Sequence, residues 1–423
     1  MNLLFLIISI LLLGLFIWRL IKSLDGVIPR KVVITTLILK ILGGIGMGLL
    51  YSYYYAGGDT FIYFSEATRV TTLFREDIAT YFRFMAFNEG EIMSQLVYFR
   101  QPRALFFVKL VSLVNLVTYD NYWLTSVFFS VFSSAGLLAF AKKLLQRYPG
   151  SRTAIFVSLL YFPSVVFWSA GVIKEAVAVG AMGFLLASFI DYLFHKKHLS
   201  FYGALSDVGM IYLLWSTKYY YAGLLLLVIV SIAITHVVIR KINLKSPLYQ
   251  VALQLFLSAL LLLAVSRLHP NFYLERMPEV IADNYHTYVE LSSPEDIIHY
   301  RNLTAADWSS ILYNSPMALI SGLFRPFIGE GGQWHQVLAG MENLILFFLF
   351  VLAFFQISQR LDNKSRLLVW GGIIYCVGLA VFLALSTPNF GTLVRYKVGF
   401  LPILLLLITM GNPFIEKLNR LIK

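Results

Sequence analysis

The chain has 423 residues, of which 59% are hydrophobic, 16% aromatic and only 13% charged, and its formal net charge is +12. Soluble domains carry about 25% charged residues, so a water-exposed globule is excluded and a bilayer is the expected solvent. Nucleic acid is excluded as a partner too, because the basic residues fall in short clusters between apolar runs, not in a stripe beside exposed aromatics.

In chain order, apolar runs of about 17–25 residues predict about 11 transmembrane helices. They lie near 3–20, 32–54, 122–140, 152–168, 172–193, 201–216, 219–238, 248–267, 337–356, 367–386 and 397–411. The expected fold is all-α, a polytopic membrane helical bundle forming a single integral membrane domain over 1–423. No positive segment precedes the first run and no small-residue cleavage site follows it. Arg19, Lys22, Arg30 and Lys31 come after it, the pattern of a retained helix with its N-terminus outside. The next basic clusters are Lys142 to Arg152, Lys196/Lys197, Arg240 to Lys245, Arg360 to Arg366 and Lys417 to Lys423. They obey the positive-inside rule if the apolar stretch 104–117 does not span. The chain is then N-out and C-in, in a membrane of the inner (cytoplasmic) type. The single cysteine, Cys376, rules out an internal disulfide.

Two long segments, 55–121 and 268–336, remain outside. Between Phe64 and Met85, apolar residues recur every three or four positions, with Arg69, Arg75, Glu76, Asp77 and Arg83 on the remaining surface. This predicts an amphipathic helix in the interface plane. The second segment contains Pro278, Pro294, Pro316 and Pro326 with Trp308, Phe324, Phe327 and Trp334, and reads as a small external cap loop.

Polar groups gather at the outer ends of the helices. Gly57-Gly58-Asp59 closes the second run. Its glycines allow a sharp turn, and a partly desolvated carboxylate there can take a proton from a hydroxyl nucleophile. Alternatively, Asp59 caps the following helix. Lys174-Glu175 follows the hairpin Phe162-Pro163-Ser164-Val165-Val166-Phe167-Trp168-Ser169, and Lys218 stands beside a short helix. Charges at such depth need a partner or a polar cavity, or serve as interfacial anchors. Arg325 and Glu330, then Arg395 and Lys397, add groups where a lipid-linked phosphate would sit, and a guanidinium fork suits phosphate oxygens. The seven histidines show no metal-ligand spacing.

Taken in order, these segments resemble the GT-C superfamily, integral membrane glycosyltransferases that use polyprenyl-phosphate-linked sugars. Asp59 matches the acidic residue of the first external loop, and 64–118 matches the surface helices after it. Pro102-Arg103-Ala104-Leu105 is similar to the Pro-Pro-Leu lead of such a helix, with Arg in place of the second Pro. The Phe-Pro-Ser run with Lys174-Glu175 resembles the second external loop. Leu323-Phe324-Arg325-Pro326-Phe327 and Asn389-Phe390-Gly391 through Lys397 resemble segments of bacterial cell-envelope members.

The resemblance implies sugar transfer from a polyprenyl-phosphate-linked donor to a glycan, lipid or protein acceptor on the non-cytoplasmic face. Asp59 would be the general base, and Glu175 would orient the acceptor or assist a metal. Lys174, Lys218, Arg325, Arg395 and Lys397 would bind the substrate phosphate. No cofactor follows with certainty: one Asp stands where some members carry Asp-x-Asp, which leaves a divalent metal open. The extra N-out helix is a further departure. Two other readings stay open, a polysaccharide repeat-unit polymerase or ligase and a transporter or flippase of lipid-linked glycans. Membrane lipids are partners in every case.

Overall fold

Hydrocarbon offers no hydrogen-bond partner, so an apolar run that crosses it must pair its own backbone groups, and the helix does this. The structure, a computed structural model, describes residues 3–55, 58–195, 200–267, 273–303, 306–354, 361–412 and 414–415. In these residues the chain is all-α. Eight helices are long and apolar enough to cross a membrane, or nine if the bent pair Phe390–Gly399 and Leu401–Thr409 is one span. The chain is an integral membrane helical bundle.

The helices begin with α1 (Leu3–Leu24), α2 (Arg30–Tyr53), α3 (Gly58–Glu76), α4 (Ile78–Phe87), α5 (Ile92–Gln95) and α6 (Pro102–Thr118). They continue with α7 (Tyr122–Arg147), α8 (Arg152–Phe156), α9 (Pro163–Phe167), α10 (Lys174–Ile190), α11 (Phe201–Ile242) and α12 (Pro247–Val265). The last six are α13 (Met277–Leu291), α14 (Trp308–Phe324), α15 (Trp334–Phe354), α16 (Asn363–Ser386), α17 (Phe390–Tyr396) and α18 (Leu401–Thr409).

Three departures account for the shortfall from the predicted span count. The run 152–168 is broken: α8 passes into a π-helical turn at Val157–Tyr161, Phe162 is extended, and Pro163 opens α9. Proline lacks the amide that would continue the helix and forces its predecessor out of the helical region. The two runs 201–216 and 219–238 join as α11, interrupted only at Lys218, whose φ −142° and ψ 73° are non-helical. The run 397–411 is the second half of the pair bent by 67°, where Pro402 sits in the first turn of α18.

The described residues form two compact units. The first is drawn from Met1–Pro149, Leu160–Tyr192 and Lys197–Tyr219. Its tightest crossing is α7 on α10, where a Cβ on Gly136 would lie 2.0 Å from the Gly180 carbonyl oxygen. Only glycine permits that approach. A core of Tyr63, Ala67 and Val70 from α3 and Ala104, Phe107, Val108 and Val111 from α6 joins the segment between α2 and α7 to the same unit.

The amphipathic helix expected over 64–85 is divided in two. The Asp77 side chain accepts from the amides of Ala79 and Thr80, ending α3 and capping α4. Hydrogen bonds from the Thr80 hydroxyl and amide hold the Asp77 carboxyl below the usual carboxylate range. Lys109 of α6 closes the far end of α4, donating to Met85 O at 2.9 Å and Asn88 Oδ1 at 2.6 Å.

The second unit is drawn from Gly150–Leu159, Leu193–Lys196 and Tyr220–Lys423. The segment predicted as a cap loop contains α13 and α14. The apolar helix α14 packs on α16 so closely that a Cβ on Gly322 would sit 2.3 Å from Ala380 O. Its opposite face exposes Leu312, Met317 and Ile320. The strand-like stretch at Ile297 bridges to Asn389, with Ile298 N donating to Pro388 O at 3.0 Å, so this segment is tied to the last loop.

Candidate functional site

Four of the seven residues singled out in the sequence, Asp59, Lys174, Glu175 and Lys218, lie in the first unit. Asp59 stands in the first turn of α3, half-buried, where the helix dipole favours a carboxylate. The turn is docked on the 168–174 hairpin. Thr60 Oγ1 donates to Val172 O at 3.0 Å and lies 2.8 Å from Tyr122 Oη. Threonine has one proton to give, so Tyr122 is the donor to Thr60.

Tyr63 follows Asp59 by one turn on the same helix face. The Lys174 ammonium sits 5.1 Å from the centre of its ring, a cation–π distance. A carboxylate and an ammonium are thereby served by one face of α3. Next to Lys174 in the chain, Glu175 pairs through Oε1 with Lys218 Nζ at 2.8 Å, with side chains 0% and 3% exposed. Lys218 reaches Glu175 from the non-helical break in α11. Next to Lys218, Tyr219 carries the guanidinium of Arg103 at 4.7 Å from its ring centre. Arg103, exposed at the start of α6, extends the positive rim of this site.

The hairpin itself is held from three sides. The Lys40 ammonium of α2 shares its three protons among Val165 O at 2.8 Å, Ser169 O at 3.1 Å, Ser133 Oγ at 3.4 Å and Ser169 Oγ. Ser130 of α7 accepts from Gly171 N at 3.0 Å, and Thr60 of α3 takes Val172 O. Irregular backbone at membrane depth survives only when protein answers its polar groups in this way.

The other three residues, Arg325, Arg395 and Lys397, lie in the second unit. Arg325 makes a two-pronged pair with Glu330, at 2.9 Å through Nε and 2.7 Å through Nη2, above the Phe390 ring. Burial raises the Glu330 carboxyl, but the contacts from Arg325 and the Phe327 amide outweigh it and hold the group below its ordinary value. Lys397 is buried, and its ammonium donates to Arg325 O at 2.6 Å, Leu323 O at 3.1 Å and Asn343 Oδ1 at 3.3 Å. Three acceptors use the three donors of a lysine, so Lys397 fixes the turn after α14 and does not present a phosphate site. Arg395 is 7% exposed with its guanidinium against Tyr396.

Sequence reasoning missed Tyr63 and Arg103 as site residues. Tyr63 was legible from its position one turn after Asp59. The contact of Arg103 with Tyr219 joins remote segments, and no local signal marks it. Among the described residues no group of three or more His, Cys, Asp or Glu side chains converges as a metal site. No protein-family profile, curated protein or solved structure matches the chain.

Proposed function

We propose that this chain is an integral-membrane glycosyltransferase that moves a sugar from a polyprenyl-phosphate-linked donor to an acceptor hydroxyl on the non-cytoplasmic face. One observation carries the reading. A half-buried carboxylate, Asp59, stands one turn before Tyr63 of α3, whose ring carries the ammonium of Lys174, the chain neighbour of Glu175 in the buried Glu175–Lys218 pair.

The chemistry uses groups of the first unit alone. Asp59 takes the proton of the acceptor hydroxyl as its oxygen attacks the anomeric carbon. The bond from that carbon to the phosphate oxygen breaks, and the configuration inverts. Lys174, with Arg103 on the same rim, stabilises the charge that collects on the departing lipid phosphate. The donor already carries an activated leaving group, so no nucleotide site is called for. Glu175 and Lys218 neutralise each other in the interior and hold the first turn of α10 against the break in α11.

With 152–168 and the two halves of α11 each counted as a crossing, the alternation of basic loops supports an N-out, C-in orientation, which puts Asp59, Lys174 and Lys218 outside, and the resemblance adds a bacterial inner membrane. Transport would draw on charge inside a span. Lys40 is such a charge, but its ammonium is enclosed by protein oxygens. This weighs for chemistry at the surface.

The test is Asp59→Asn in cells that make equal amounts of the two proteins, with the envelope glycans analysed by mass. Loss of one glycan species is the expected result, and loss of long chains alone would shift the assignment to a polymerase. Unchanged glycans, where deletion of the gene alters them, would end the proposal.

A further inference from the structure

Beyond Asp59, the far half of α3 meets α4 and the turn leading through α5 around a cavity of about 620 Å³. Ligand pockets in proteins fall in this size range. Two guanidiniums, Arg69 and Arg83, and three carboxylates, Glu76, Glu89 and Glu91, line it together with the Gln95 amide. Leu73 and Ile92 supply apolar wall.

These opposite charges share one volume without pairing. Arg69 Nη1 donates to Gln95 O at 3.2 Å and Arg83 Nη2 to Thr80 Oγ1 at 3.0 Å. Among the described residues, neither guanidinium lies within 4.0 Å of a carboxylate oxygen. Three carboxylates repel an anion, and two guanidiniums repel a cation. A neutral ligand whose every polar group both donates and accepts satisfies both sets, and that description fits a sugar hydroxyl. The C–H faces of a sugar ring would lie on Leu73 and Ile92.

The cavity wall is built into the candidate site. Buried Glu66 of α3 accepts from Val97 N at 3.0 Å and Tyr98 N at 3.3 Å, which fixes the strand of chain after Gln95. Tyr98 then stacks on Tyr63 at 4.8 Å between ring centres, and Tyr63 is the ring under Lys174. From Asp59 to Arg69 the helix rises about 15 Å, at 1.5 Å per residue, a length that a short oligosaccharide covers.

We propose that this cavity is a subsite for a neutral oligosaccharide, holding the acceptor chain while its terminal hydroxyl reaches Asp59. The proposal rests on the transferase reading for the role of the bound sugar, though not for the binding itself. The experiment is saturation-transfer NMR on the purified full-length protein in lipid nanodiscs. The probes are maltotriose, cellotriose and triacetylchitotriose, with inorganic phosphate as anionic competitor. Binding of at least one trisaccharide is expected, weakened tenfold or more in both Arg83→Met and Glu89→Gln at unchanged thermal stability, and not displaced by phosphate.

If none of the trisaccharides binds, if both variants bind as the parent does, or if phosphate displaces the sugar, the subsite is refuted. The glycan assay of Asp59→Asn reports separately on the transferase reading. Cavity-dependent sugar binding beside unchanged glycans would keep the subsite and remove the reaction.

Discussion

Lys40 and Lys218 are both withdrawn from water inside the first unit, the one fully and the other to 2% exposure, yet the protein satisfies them by opposite means. Lys218 faces a carboxylate, Glu175 Oε1 at 2.8 Å. Lys40 lies among carbonyl and hydroxyl oxygens of Val165, Ser169 and Ser133. The difference follows from what each cation holds. Around Lys40 the chain breaks at Pro163, and the carbonyls of a single helical turn are left without intrahelical donors. An ammonium supplies those donors, with a charge that the carbonyl dipoles favour as they do at any helix C-terminus. Lys218 instead stands where a helix is interrupted beside the first turn of another, and there the acid of that turn is within reach.

The comparison predicts unequal costs when either arrangement is cut. Removing one member of a buried ion pair strands the other as an uncompensated charge, at a cost of about 3–5 kcal/mol. Glu175→Gln and Lys218→Met should each lose stability on that scale in thermal unfolding of the detergent-solubilised protein. The double variant Glu175→Met/Lys218→Met should recover much of it, because the stranded charge is gone. A double variant no better than the worse single one would show that the pair is not the unit of stabilisation.

Lys40→Met removes the buried charge and its donors together, so only neutral acceptors are left behind. Its expected cost is smaller, about 1–3 kcal/mol, the penalty for an unsatisfied buried polar group. The damage should also be local. Proteolysis or amide exchange would find the 163–173 hairpin opened while α7 and α10 stay protected. A loss as large as that of Glu175→Gln would erase the distinction between the two lysines.

These arrangements differ in how far they can be read from sequence. The long helices were legible because leucine and isoleucine runs of sufficient length have no other stable form in hydrocarbon. The break at Pro163 was written in the sequence, but the apolar residues around it masked its effect on 152–168. Helix α14 stayed hidden because Pro316, Ser309, Ser310 and Asn314 interrupt its apolar character, and its length falls short of a standard span. Asn314 accepts from the Arg301 amide at 3.1 Å and donates to the carbonyls of Arg301 and Ser310, each at 2.8 Å. Lys397 shows the limit most clearly. Its place beside Arg395 suggested phosphate binding, whereas its acceptors, Leu323 O and Arg325 O, come from a remote turn that only tertiary packing brings close.

Arg325–Glu330 provides a third point of comparison, again a glutamate but paired with a guanidinium in place of the ammonium of the buried pair, and with side chains 16% and 28% exposed. Water screens such a pair, so its contribution should be modest, about 1 kcal/mol or less. It should also be visible in pH, because Glu330 is held below its ordinary value. A carboxyl depressed in the folded state contributes stability above its unfolded pKa, and this is lost as pH falls through the lower folded value. The melting temperature of the parent should therefore drop in the acid range below the ordinary glutamate pKa of 4.5. In Glu330→Gln part of that drop should vanish, with a slightly lower plateau at neutral pH. If the acid limbs of the two proteins superimpose, Glu330 makes no net contact in solution, and the Arg325 guanidinium is open to an anion after all.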